Sequence, residues 1–221
     1  MADKYAFSFG YLALKMLGKT LYSNPFAALS ELIANGFDAQ ADKVWLYLDI
    51  RDKKNAEVIV IDNGCGMTDT TIKEKYLQVG KKNRDDADDI MMGRKGIGKL
   101  AAFYLSNKYY VVTKTKDENN IYEIDFTGYE NGEIEEDDNN HQYINKINNL
   151  DFTYKDIFQK LSSGTAIVMN NVSFAGYGEK SFAVLESELS ELFSFGKISR
   201  KIYLKIVTNN EAVSYTHLTL P

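Results

Sequence analysis

Residues 43–67 read KVWLYLDIRDKKNAEVIVIDNGCGM. Two apolar runs, 43–50 and 56–62, have strand character and are joined by a polar turn at 51–55, which predicts a hairpin. The second run is continuously apolar from Val58 to Ile61 and ends on Asp62, followed by Asn63, Gly64, Cys65, Gly66 and Met67. An acid at the end of a buried strand, with two glycines after it, suits a buried hydrogen-bond acceptor beside backbone opened around a planar ligand. A tight turn with a side-chain cap is the competing reading.

Toward the N-terminus, Ser23-Asn24-Pro25 predicts a helix start, with Asn24 as N-cap and Pro25 in the first turn, and the helix runs to about residue 40. Glu31, Asn35 and Asp38 fall at i, i+4 and i+7, so they share one face, while Leu29, Leu32 and Ile33 lie elsewhere and can pack. A carboxylate and an amide one turn apart suit a water-activating base beside a metal ligand. Spacing alone allows a solvated polar stripe equally well. Residues 9–22 also carry a helical apolar pattern.

Toward the C-terminus, a polar, lysine-rich stretch covers 68–92, a glycine loop spans Gly93–Gly98, and a helix follows at 99–107. Strands are predicted at 108–115, 121–126, 165–172 and 201–207. Residues 182–195 have apolar side chains at 182, 185, 189, 192 and 193, an amphipathic helix, and the acidic run 130–141 is a solvated loop. Strands and helices interleave without regular βαβ spacing, which predicts an α+β fold, a two-layer α/β sandwich.

The glycine loop Gly93-Arg94-Lys95-Gly96-Ile97-Gly98-Lys99 almost spells a P-loop, but Leu100 stands where a magnesium-binding Ser or Thr is required. The dinucleotide fingerprint also fails, because Gly64-Cys65-Gly66 has no third glycine. What remains is G-x-x-G-x-G leading into a helix, where backbone amides and the helix N-terminus favour an anion.

In order along the chain stand E-x-x-x-N-x-x-D-A (Glu31, Asn35, Asp38), D-x-G-x-G-M (Asp62, Gly64, Gly66, Met67), G-x-x-G-x-G (Gly93, Gly96, Gly98) and the Gly164-Thr165 pair. Together they resemble the motifs of the GHKL ATPase superfamily, which includes gyrase B, the ninety-kilodalton heat-shock chaperones, histidine kinases, MutL and the MORC proteins. The likeness covers roughly residues 10–207. Residues 21–24 and the stretch from Gly164 through the 201–207 strand look like the heat-shock chaperones, and the compact 43–62 hairpin looks more like MutL and MORC.

The resemblance implies the Bergerat form of the sandwich: a mixed, mostly antiparallel sheet, helices on one face, and a mobile ATP lid at 68–98. It implies that Asp62 accepts a hydrogen bond from the adenine amino group, that Gly64 and Gly66 admit the base, that Met67 packs on it, and that Thr165 reaches its polar end. Asn35 would ligate Mg2+ with Asp38 nearby, and Gly93, Gly96, Ile97, Gly98 and Lys99 would line the phosphates of ATP. Glu31 would be the general base. Lys81, Lys82 and Arg84 read as a solvated basic loop rather than phosphate ligands. Histidine kinases typically carry asparagine where Glu31 stands, and the histidines of this chain, His141 and His217, lie outside any dimerisation helix pair, so a kinase is the weakest reading.

The 221 residues are 44% hydrophobic and 26% charged, ordinary globular composition, and a net charge of −5 argues against broad, sequence-independent grip on nucleic acid. The single cysteine, Cys65, excludes an internal disulfide, no apolar run approaches the roughly 18 residues of a membrane span, and no signal-like segment opens the chain, so a cytoplasmic protein without membrane contact is expected. The ending Ser214–Pro221 (SYTHLTLP) continues none of the patterning and resembles translated vector sequence. It is left out of the fold expectation, with residues 1–210 as the ATP-binding domain and a transducer domain expected downstream. By resemblance the expected activity is slow Mg-dependent ATP hydrolysis driving an ATP-gated dimeric switch of chaperone-like or MORC-like character. The rival is an ATPase subunit acting on DNA in repair, topoisomerase or defence systems. DNA or client partners would be engaged through downstream domains.

Overall fold

A computed structural model describes residues 20–77, 100–130, 144–193, 200–209 and 214–219 of the chain. The 9–22 helix except its last residues, the 78–98 part of the lid, the glycine-loop residues Gly93, Gly96, Ile97, Gly98 and Lys99, and the 131–141 part of the acidic run lie outside the described residues.

Helix α1 is Pro25–Asp38, and its start follows local chemistry: Asn24 Oδ1 accepts the Ala27 N–H at 2.9 Å, and Pro25 opens the first turn. Strands β1 (Lys43–Asp49) and β2 (Ala56–Asp62) form the expected antiparallel hairpin. A short helix α2 (Asp69–Thr71) runs into a π-turn over Ile72–Tyr76. Helix α3 (Leu100–Leu105), strands β3 (Lys108–Lys114) and β4 (Asn119–Asp125), and a one-turn helix α4 (Thr127–Glu130) come next. Strand β5 (Ile144–Ile147), helix α5 (Lys155–Lys160), strand β6 (Gly164–Val172), helix α6 (Glu179–Phe193), and strands β7 (Lys201–Val207) and β8 (Ser214–Thr219) complete the order.

The eight strands make one sheet in the order β5-β4-β3-β6-β2-β1-β7-β8. Every neighbouring pair is antiparallel except β1 with β7, so the sheet is mixed and the α+β sandwich is realised. One face carries the main core. Leu29 and Ile33 of α1, Ala101 of α3, and Leu185 and Leu189 of α6 are fully buried there against Val44, Val58, Val111 and Ile202. Each such aliphatic side chain contributes roughly 1.5–3 kcal/mol by leaving water. The second face has a smaller cluster, in which Phe152 and Phe158 of the α5 region cover Tyr47, Ile59, Ile61, Val112 and Val168. β2 and β6 are therefore apolar on both faces, which is why they read as unbroken runs rather than alternations.

Within α6, Phe182, Leu185, Leu189 and Phe193 are buried, whereas Leu192 of the predicted stripe is 55% exposed, because it is rotated off the face that meets the sheet. Ser214–Thr219, left out of the fold expectation, pairs antiparallel along β7, with Lys201 opposite Thr219. Pairing along a sheet edge uses backbone groups alone and asks for no side-chain pattern.

Because β6 lies between β3 and β2, Thr165 sits directly opposite Asp62 on one side and Thr113 on the other. Three polar residues are thus aligned across three central strands at one end of the sheet.

Candidate functional site

Asp62 is the terminal residue of β2 and is 9% exposed. Its Oδ1 accepts the Gly64 N–H at 2.8 Å. Burial dominates its titration and pushes the carboxyl up to about 7, against the opposing backbone hydrogen bonds of Gly64 and Thr165. A buried carboxyl at the mouth of a sheet, with Thr165 beside it at 8% exposure, is an acceptor held ready for a donor.

The loop after Asp62 is shaped by Gly66. Its φ is +68°, and a Cβ there would lie 2.0 Å from the carbonyl oxygen of Lys114. Only glycine fits. Gly66→Ala is expected to cost at least about 1–2 kcal/mol from the left-handed backbone alone, with the clash added, and to abolish ATP binding by displacing Met67. Thermal melting together with ATP titration checks this; a variant with the parent's melting temperature and affinity would contradict it. The loop is also tied to its surroundings: Cys65 N–H donates to Ala39 O at 2.9 Å, and Met67 N–H donates to Thr113 Oγ1 at 2.7 Å. Cys65 itself is exposed.

Helix α1 supplies the second wall. Gly36 lets it lie flat on the strands, because a Cβ there would come within 2.9 Å of Asp62 Cβ and 3.1 Å of Val44 Cγ2. The helix face bearing Glu31, Asn35 and Asp38 is only partly exposed. Burial, and secondarily the negative charge of Asp38, raise the Glu31 carboxyl above the usual glutamate range. The Tyr22 hydroxyl is raised by burial and by Glu31, and its ring lies 5.4 Å from that of Tyr104 on α3, which connects the α1 entrance to the helix after the glycine loop.

Among the described residues no group of three or more His, Cys, Asp or Glu side chains forms a metal cage. The amide of Asn35 between two carboxylates on one helix face suits a hard cation held by one protein ligand, substrate oxygens and water, the habit of Mg2+.

The described root of the predicted lid is anchored to the sheet. Tyr122 O–H donates to Asp69 Oδ1 at 2.6 Å, Lys73 pairs with Asp69 at 2.6 Å, and Asp69 N–H donates to Glu118 Oε2 at 2.8 Å. Lys73 and Tyr122 together hold the Asp69 carboxyl down at about 2. Neither this anchor nor Thr113 was legible in the sequence, since both depend on partners about 50 residues away.

The structure therefore brings Asp62, Gly64, Gly66, Met67 and Thr165 together at one end of the sheet and packs α1 against Asp62 at Gly36. Among the described residues no helix is long and apolar enough to cross a membrane.

The chain is 35% identical over 113 residues to a putative type II restriction enzyme, HgiDII, of Herpetosiphon aurantiacus, covering 48% of this chain and 18% of that protein. It is 24% identical over 182 residues to the chaperone protein HtpG of Rickettsia canadensis, covering 71% of this chain and 26% of the chaperone. It thus spans about a quarter or less of the length of these relatives. The crystal structure of the N-terminal domain of a DNA repair protein shares the fold, with a TM-score of 0.58 at 13% identity, over 91% of this chain and 54% of that one. The family described as histidine kinase-, DNA gyrase B-, and HSP90-like ATPase matches residues 22–156, more than half of the chain. A buried strand-end acid and a glycine-opened loop stand together beside helix α1, and the chain belongs to this ATPase family.

Proposed function

We propose that this chain is the Mg-dependent ATP-binding engine of a dimerising switch, with Asp62 reading adenine and Glu31 activating water. The observation that supports the proposal is the pairing of buried Asp62 with Thr165 across β2 and β6, with α1, the helix that carries Glu31 and Asn35, packed against Asp62 at Gly36. In this reading the adenine amino group donates to Asp62, Thr165 meets the same polar edge, and Met67 packs on the ring. Asn35 holds Mg2+, which when bound neutralises charge on the phosphates, and the 93–99 loop supplies backbone amides to them. Glu31, with its raised carboxyl, takes the proton of the attacking water. In this reading residues 68–98 are the lid, and the Asp69–Tyr122 hydrogen bond ties its described root to the sheet. The lone cysteine fits a cytoplasmic setting.

In this reading a basic residue from a following domain completes the γ-phosphate site, and such charge-stabilising groups are worth about 10²–10⁵ in rate. The 221-residue chain is then expected to bind Mg-ATP, hydrolyse it very slowly and remain monomeric without nucleotide. A non-hydrolysable analogue should protect residues 68–98 from proteolysis and favour a dimer, because lid contacts to nucleotide exist only in the loaded state. Light scattering and limited proteolysis, with and without analogue, test both halves. Fast turnover by a monomer whose lid is cut equally in both states would rule the switch out.

A second reading keeps the same site and changes the load: the ATPase serves a protein acting on DNA. The 35% identity to a putative restriction enzyme, above the 24% shared with the HtpG chaperone, favours it. DNA-stimulated ATPase activity of the longer protein separates the two; stimulation by client protein alone would favour the chaperone-like form.

A further inference from the structure

We propose that Thr113 is a positioning residue for nucleotide-base selection, fixing how far Met67 stands from Asp62. The proposal rests on the adenine reading of Asp62 and deepens it.

Thr113 is fully buried, next to last in β3, and lies across β6 from Asp62 with Thr165 between them. A hydroxyl at such a position is costly unless it is hydrogen-bonded. Its bond is to the loop: Oγ1 accepts the Met67 N–H at 2.7 Å and stands 3.4 Å from Met67 O and 3.5 Å from Gly164 O. The loop is consequently pinned at three amides on three different elements. Gly64 N–H is held by Asp62 of β2, Cys65 N–H by Ala39 at the end of α1, and Met67 N–H by Thr113 of β3. The first two hold the loop where it leaves the strand, and Gly66 turns it over. Thr113 is the only one of the three beyond that turn, so in the adenine reading it sets how deep Met67 stands relative to Asp62. The β-branched side chain, with few χ1 choices on a strand, keeps the hydroxyl aimed at Met67.

Thr113→Val keeps the shape and removes the hydroxyl, both the acceptor of the Met67 N–H and the donor toward Met67 O and Gly164 O. Loss of one such hydrogen bond is expected to weaken ATP binding by about 3–10-fold. Weak GTP binding should be unchanged, so the ATP-over-GTP ratio drops by the same factor. Thr113→Ser, which keeps the acceptor, should restore both affinity and ratio. A purely structural role would lower the melting temperature while leaving the ratio alone. Calorimetric titration of the 221-residue chain and both variants with ATP and GTP reads these quantities. Met67 amide exchange in the parent is the second measurement, expected to be slow and sheet-like, and it decides the matter if the valine variant does not fold. A valine variant with the parental ratio, a serine variant that fails to rescue, or fast Met67 exchange would overturn the role of Thr113. Failure of the parent to prefer ATP over GTP would instead overturn the adenine reading itself.

Discussion

ATP turnover is expected to fall by about 10²–10⁴ when Glu31 is replaced by alanine, while ATP affinity stays near that of the parent. The separation follows from placement. Glu31 sits on the partly exposed face of α1, one turn before Asn35, whereas the opposite face holds Leu29 and Ile33 fully buried in the core. Removing its carboxylate leaves helix packing and the Asp62 end of the site intact. Its carboxyl is raised by burial and by Asp38, which makes it a stronger base than a solvated glutamate. An interaction needed only as water attacks should appear in kcat and not in binding. Glu31→Gln should lose turnover to the same extent, since shape is kept and basicity is not. Asn35→Ala should instead weaken the magnesium-dependent part of ATP binding. Single-turnover hydrolysis, alongside equilibrium titration, separates the cases. A Glu31→Ala protein turning over at the parental rate would remove Glu31 from the chemistry.

What could be read from the sequence was what local chemistry determines. The α1 start needed only Asn24 and Pro25, and β1, β2, β6 and β7 announced themselves as alternating or continuous apolar runs. The Asp62 segment was legible because an acid after four apolar residues, followed by two glycines, is an unusual local combination. β5 was not, since its four residues are all at least partly exposed and show no alternation. α5 was not either: Tyr154 precedes it with φ +69° and no side-chain cap, so the usual start signal is absent. Thr113 looked like any β-branched strand residue, and its significance arises from the β3–β6 register, a contact between segments some 50 residues apart. The same holds for Tyr122 and Asp69. Periodicity carries no information about such pairings.

Asp62 should show opposite effects on binding and on stability. Asp62→Ala removes a charged acceptor from the base site and is expected to cost roughly 1.5–3 kcal/mol of ATP binding, about 10–150-fold. The unliganded protein should respond differently. The buried carboxyl titrates at about 7, against an ordinary 3.8 in the unfolded chain. Between those values the folded protein retains a proton that the unfolded chain has released, so the stability of the parent falls as pH rises through this window and levels off above it. At pH 8 the full penalty, at most about 4 kcal/mol, is present. Asp62→Asn cannot ionise and can still accept the Gly64 N–H, so it should melt higher than the parent at pH 8, with the advantage shrinking toward pH 5. Such a site is destabilising until a donor arrives, and in the proposed reading the adenine amino group is the donor that recovers the cost. Thermal melts of parent and Asp62→Asn at pH 5.5 and 8, with ATP and GTP titrations of parent and Asp62→Ala, test both sides. A constant melting difference across that range would deny the buried ionisation, and equal affinity of the parent for ATP and GTP would deny the adenine contact.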